Sequence, residues 1–149
     1  MAGRFQLRRG NTAQNDAFIG AEGEVTYDTQ AKGIRVHDGV TPGGNALFGV
    51  VEFQHPTAAN NYTWYRKYSD GWLEQGGICN ISQDTRTTVN MPKAFSDTNY
   101  QVTITAVADL RTGGDGNFTV NRQTASQFYW CNGDDFSGQG VWCARGMAA

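Results

Sequence analysis

Over most of this chain apolar and polar residues alternate with a period of two, the signature of strands with one buried face. Near the start, Glu24–Asp28 and Gly33–His37 read as a hairpin. Val25 and Tyr27 share one face, and Ile34 and Val36 share one face of the facing strand. The loop Thr29–Lys32 is polar, and Gly33 permits a positive φ near the strand start. A single helical turn is expected around Asn15–Phe18. No window shows the sustained spacing of three and four that a longer helix needs.

The pattern breaks at His55–Asn61, where Pro56 removes a ladder donor and Ala-Ala-Asn-Asn packs poorly in a strand. This places an N-terminal domain at 1–50, a linker at 51–61 and a C-terminal domain at 62–149. Beyond the break the β pattern sharpens. Tyr62–Tyr68 and Trp72–Ile78 flank Ser69-Asp70-Gly71, a strong hairpin signal. Tyr62, Trp64 and Tyr68 lie on one face, with Thr63, Tyr65 and Lys67 on the other. Arg86–Met91 is a short strand closed by Pro92. In Tyr100–Leu110, Val102, Ile104 and Ala106 face one way and Gln101, Thr103 and Thr105 the other. A glycine-rich turn over 112–116 precedes strands at Asn117–Arg122, Gln127–Cys131 and Val141–Arg145, the last after a polar loop, Asn132–Gly140. The expected class is all-β, with about seven short strands in the C-terminal part forming a β-sandwich. Trp64, Trp72 and Trp142 are expected in the core or at an interface between copies.

Composition sharpens this picture. Of 149 residues 39% are hydrophobic, enough for a packed core, and 19 are glycine, which suits short strands joined by tight turns. The first fifty residues carry few large apolar groups, and so small a segment rarely stabilises itself alone. Copies of itself are the simplest partner surface.

The net charge is −2, and no basic cluster exists beyond Arg8–Arg9 and Arg66–Lys67, which argues against nucleic-acid binding. Apolar stretches are far too short to insert in a membrane. The first residues lack a secretory apolar core, so synthesis and folding are expected in the cytoplasm. Three cysteines, Cys79, Cys131 and Cys143, are then expected as reduced thiols, with a Cys131–Cys143 disulfide left open for oxidising conditions.

Catalytic arrangements are not found, and the chain is not expected to be an enzyme. The motifs G-x-S-x-G, H-E-x-x-H and G-x-G-x-x-G do not occur. His37 and His55 lie far upstream of every cysteine. The acidic pairs Asp134–Asp135 and Asp109/Asp115 sit among Gly, Asn and Ser, as turn formers do. No C-x-x-C, H-x-x-x-H or EF-hand pattern marks a metal, and no cofactor is expected.

One stretch is more specific than composition. Arg8-Arg9-Gly10-Asn11-Thr12, Gly23-Glu24, Tyr27-Asp28-Thr29 and Val36-His37-Asp38-Gly39-Val40-Thr41-Pro42-Gly43-Gly44 resemble the N-terminal segment of phage tail-fibre and tropism-determinant proteins, over about residues 5–48. The resemblance implies an interlocked trimeric β-structure and no catalytic role, with His37-Asp38-Gly39 as a structural turn. Tyr65–Gln75, Pro92–Phe95 before the Tyr100 strand, and Trp142-x-Ala144-x-Gly146 resemble the knob that ends many phage tail fibres, over about 62–147. Cys143 and Arg145 depart from it, standing where apolar residues are usual.

The two resemblances together imply a short homotrimeric fibre of the virion. Its N-terminus would dock to a tail or capsid protein and its knob would bind a bacterial surface polysaccharide or outer-membrane protein. Receptor contacts are expected from Tyr129 and Trp130, beside Asn132, Asp134, Asp135 and Phe136, because aromatic faces stack on sugars while Asp and Asn bind hydroxyls. The other reading puts Phe128 and Trp130 in the core and leaves Tyr129 alone exposed. Arg8 and Arg9 are expected to pair with carboxylates of a virion partner or with Glu22 or Glu24. A capsid-attached head fibre or decoration protein is the alternative function, and a polysaccharide depolymerase the remaining one.

Overall fold

The structure, a computed structural model, describes residues 6–47, 49–107, 117–133 and 137–149. The expected glycine-rich turn over 112–116, the acidic candidates Asp109, Asp115, Asp134 and Asp135, and Phe136 lie outside these residues. The chain forms two compact units, Met1–Val51 with Tyr68–Asp70, and Glu52–Lys67 with Gly71–Ala149.

The first unit is built on a four-stranded sheet ordered β1 (Arg8–Gly10), β2 (Val25–Asp28), β3 (Gly33–Val36) and β4 (Asn45–Leu47). The β2–β3 hairpin forms with Tyr27 opposite Ile34 and Val25 opposite Val36. β1 adds in parallel to β2, and β4 antiparallel to β3; neither strand is legible in three residues of sequence. The helical turn, α1 (Thr12–Asp16), falls upstream of the expected 15–18. Asn11 fixes its start: the Asn11 side chain accepts from the Gln14 N–H, and the Gln14 side chain accepts from the Asn11 N–H.

This sheet inverts the usual rule of burial. Its covered face is polar: Thr26, Asp28 and His37 are buried there, with Asn15 of α1. Asp28 accepts from Thr12 Oγ1, from the Gln30 and Ala31 N–H groups and from Arg35, which also pairs with Asp16 at 2.7 Å. Burial pushes the Asp28 carboxyl up, but those donors outweigh it and hold the group below its ordinary range. His37 accepts from the Gly20 N–H at Nδ1, so its proton sits on Nε2, 3.0 Å from Thr26 Oγ1. The edge of Phe18 packs on the imidazole, with ring centroids 5.2 Å apart. A Cβ on Gly20 would meet the His37 ring at 2.7 Å, so glycine there is a condition of the close approach. The apolar set of Val25, Tyr27, Ile34, Val36 and Leu47 occupies the other face, where Leu47 is 58% exposed and Ile34 40%.

The second unit is a sandwich of two sheets around one core. One sheet has the order β5 (Val50–Gln54), β6 (Trp64–Tyr68), β7 (Trp72–Ile81), β12 (Gly138–Met147) and β9 (Gln101–Val107). The other is β10 (Phe118–Thr124), β11 (Gln127–Asn132) and β8 (Arg86–Asn90). Leu73, Ile81, Trp142 and Ala144 from the first sheet meet Val89, Phe128 and Trp130 from the second, with Phe128 edge-on to Trp142 at 5.6 Å. Each of the Leu, Ile, Val and Phe side chains among them contributes about 1.5–3 kcal/mol through burial. Phe95 stacks on Tyr100 at 4.7 Å beneath them, and the Tyr100 hydroxyl donates to the Gln127 carbonyl. Fully buried Gln75 is satisfied by the turn it pins: it donates to the Lys93 carbonyl and accepts from the Lys93 N–H.

The expected linker over 51–61 is more structured than its composition suggested. It holds most of β5, where Glu52 accepts from the Tyr65 hydroxyl and pairs with Lys93. A 3-10 turn at Ala58–Asn60 follows, capped by Thr57. The loop expected over 132–140 shortens because β12 begins at Gly138.

Candidate functional site

Alternation along β11 sorts its side chains. Phe128, Trp130 and Asn132 point into the sandwich, while Gln127, Tyr129 and Cys131 point out. Adjacent residues of one strand cannot share a face, so Tyr129 and Trp130 cannot form one binding platform. Trp130 is fully buried, and this corrects its expected place on the surface. A Cβ at Gly140 of β12 would lie 2.3 Å from its six-membered ring, so Gly140 is the gap into which the indole fits. Packing holds the ring, and Trp130 Nε1 is buried without a hydrogen-bond partner among the described residues. Asn132 is likewise buried, its amide donating to the Ser82 carbonyl at 3.0 Å.

Cross-strand register composes the outer face of this sheet. One row sets Thr119 beside Cys131 and Cys131 beside Arg86; the next sets Asn121 beside Tyr129 and Tyr129 beside Thr88. A third places Gln127 against Asn90, linked by a 2.7 Å hydrogen bond. The Arg86 guanidinium lies over the Tyr129 ring, 4.3 Å from its centroid, a cation–π contact that fixes both side chains. Two shallow depressions share Thr119 and Cys131. One of about 470 Å³ is lined by Thr98, Asn99, Asn121 and Arg122, and one of about 510 Å³ by Asp84, Thr85, Arg86 and Asn117.

This face is polar, with groups that can donate to and accept from hydroxyls. Short amides and hydroxyls supply donors and acceptors, the Tyr129 ring and the Arg86 guanidinium supply flat surfaces, and the strands hold them rigidly. Arg86, Thr88, Asn90, Thr119 and Asn121 escaped the sequence reading because they come together only through strand pairing. The polar alternation within 86–90 and 118–124 was the available signal.

The other candidates separate. Arg8 pairs with Glu24 at 3.3 Å and lies over the Phe18 ring, while Arg9 stays exposed. His37-Asp38-Gly39 is a turn: Asp38 accepts from the Val40 and Thr41 N–H groups and from the Thr41 hydroxyl, which pull its carboxyl down to about 2. Gly39 has φ +84°, a value that suits glycine. The three cysteines are free, and burial pushes the Cys79 thiol up to about 11. Among the described residues no group of three or more His, Cys, Asp or Glu is placed to hold a metal ion, and no helix is long and apolar enough to cross a membrane.

Comparison with known proteins bears on the first unit. Residues 5–41 match the family model described as Major tropism determinant N-terminal domain. A 47-residue segment is 48% identical to the Tail fiber receptor-binding protein of Bordetella phage BPP-1, covering 32% of this chain. The chain spans only 12% of the length of that relative. Two solved structures align with 66% of this chain at a TM-score of 0.47. They are an N-truncated R2-type pyocin tail fiber (15% identity, 39% of that chain) and the R2 pyocin fiber of P. aeruginosa (16% identity, 26% of that chain). Residues 5–41 of this all-β chain are thus similar to the major tropism determinant N-terminal domain.

Proposed function

We propose that this chain is a short phage tail-fibre protein, a homotrimer that attaches to the virion through its first unit and binds a host-cell surface glycan through its second. The carrying observation is the joining of a tropism-determinant N-terminal domain to a rigid sandwich whose outer sheet face, centred on Tyr129 and Arg86, has the chemistry of a hydroxyl-binding surface. The exposed apolar face of the first unit supports the homotrimer, because three copies give it the cover that one chain does not. Three equal sites on one axis then turn weak contacts into firm attachment through effective concentration. On the virion side Arg9 is the exposed arginine that has no ion pair among the described residues, since Arg8 is engaged by Glu24. The particle is assembled in the host cytoplasm, and no catalytic step is proposed.

Binding of purified protein to whole host cells tests this reading. Tyr129→Ala and Arg86→Ala are expected to weaken binding about tenfold each, as loss of an aromatic or Arg hot spot does, with melting unchanged. The double change Asp134→Ala, Asp135→Ala is expected to weaken binding in an intact trimer. Wild-type protein that neither labels cells nor blocks adsorption would reject the receptor role in favour of a decoration protein.

A further inference from the structure

Towards the β5 edge of the five-stranded sheet lies a depression of about 270 Å³, apart from the face around Tyr129. Trp64 and Arg66 of β6, Glu74 of β7 and the segment Gln54–Pro56 line it. Strand register makes its floor. Trp64 stands opposite Gly76 and Arg66 opposite Glu74 on the outer side, since the alternating Leu73 and Gln75 are buried in the sandwich. A Cβ at Gly76 would lie 2.7 Å from Trp64 Nε1, so the missing side chain lets the indole lie across that strand. Hydrogen bonds fix the wall. Gln54 donates to the Thr63 carbonyl and hydroxyl, and Asn60 donates to the His55 carbonyl at 2.7 Å. The His55 ring packs edge-on against Phe53, with centroids 4.9 Å apart.

We propose that this depression is a second glycan subsite, which takes one uncharged sugar ring stacked on Trp64 and held by Arg66 and Glu74. Charge selects the class of ligand. Arg66 and Glu74 face each other across neighbouring strands, yet neither closes an ion pair among the described residues. Arg145 of β12 stands on the other side of Glu74. A carboxylate or phosphate ligand is repelled by Glu74, and a cationic ligand by Arg66 and Arg145. A hydroxyl donates and accepts at once, so two neighbouring hydroxyls satisfy the guanidinium and the carboxylate together. The C–H face of the same ring covers the indole. Volume sets the length: sites for drug-sized ligands run to about 300–1,000 Å³, so this one holds a ring and not a chain. Floor and wall are in place before the ligand arrives, which lowers the ordering cost of binding. The subsite lies on the opposite sheet from Tyr129 and does not depend on that face.

Fluorine NMR of the full-length protein carrying fluorotryptophan tests this, because the chain has four tryptophans and Trp64→Phe identifies the Trp64 line. The probes are the methyl glycosides of glucose, galactose, mannose, N-acetylglucosamine and glucuronic acid. At least one neutral glycoside should move the Trp64 line saturably, and the glucuronide should leave it in place. Arg66→Met and Glu74→Gln should each weaken that response at least about tenfold, with melting unchanged. A Trp64 line that no glycoside moves would overturn the subsite. So would a shift that survives both charge substitutions, or one stronger for the glucuronide than for any neutral ring. Saturation transfer to a glycoside with the Trp64 line unmoved would overturn it while leaving the glycan reading of the Tyr129 face intact. Binding to whole cells decides that reading separately.

Discussion

Single residues carry two of the tightest conditions in this fold, and both concern what sits beside a ring. At Gly140 the missing Cβ is the space occupied by the Trp130 indole. Gly140→Ala should overpack that core and cost about 1–3 kcal/mol, seen as a lower melting temperature of the full chain. His37 is held at both nitrogens, by the Gly20 N–H and by Thr26. Removing the ring in His37→Ala leaves a buried N–H and a buried hydroxyl unpaired, at a cost of about 1–3 kcal/mol. A variant that melts with the wild type would show that water replaces the imidazole at no cost. Neither constraint is visible in sequence, where Gly140 is one of 19 glycines and His37 reads as part of a turn.

At the scale of elements, burial follows alternation in one unit and opposes it in the other. In β9, Val102, Ile104 and Ala106 pack against the core and Gln101, Thr103 and Thr105 face out, as their spacing predicts. Val102→Asp places an unpaired charge in that core, and loss of soluble, cooperatively melting protein is the expected result. In β2 the polar residues Thr26 and Asp28 are the buried ones, because His37 pairs with Thr26 while Arg35, Thr12 and the Gln30–Ala31 turn satisfy Asp28. This arrangement titrates. Asp28 and Asp38 are both held below the ordinary value of 3.8, so in acid the unfolded chain binds protons that the folded chain does not. Their contribution is complete above that value and drains away as pH falls through the folded values, with Asp38 near 2. Melting of the wild type should therefore drop steeply only below about pH 4, and Asp28→Asn should flatten that part of the profile. An unchanged profile in the variant would remove Asp28 from the account.

For the whole molecule, three apolar surfaces need different explanations. The sandwich core is closed within one chain, whereas the Ile34–Leu47 face of the first unit and the Val141–Met147 face of the second are open. Native mass spectrometry of the full-length protein should find three chains per particle, stable to dilution. A well-folded single chain at nanomolar concentration would contradict the homotrimer.

The alternation of residue types was enough to identify an all-β chain, to locate the β2–β3 and β6–β7 hairpins, and to set the facing of β9, because these depend on periodicity and turn chemistry within a few residues. The short strands β1 and β4, the parallel pairing of β1 with β2, and the rows around Tyr129 lay beyond its reach. They depend on which distant strands become neighbours, and local spacing contains no record of that. The same limit explains Trp130 and Tyr129. Period two says that the adjacent rings part, but only the second sheet laid against the first determines which of them meets solvent.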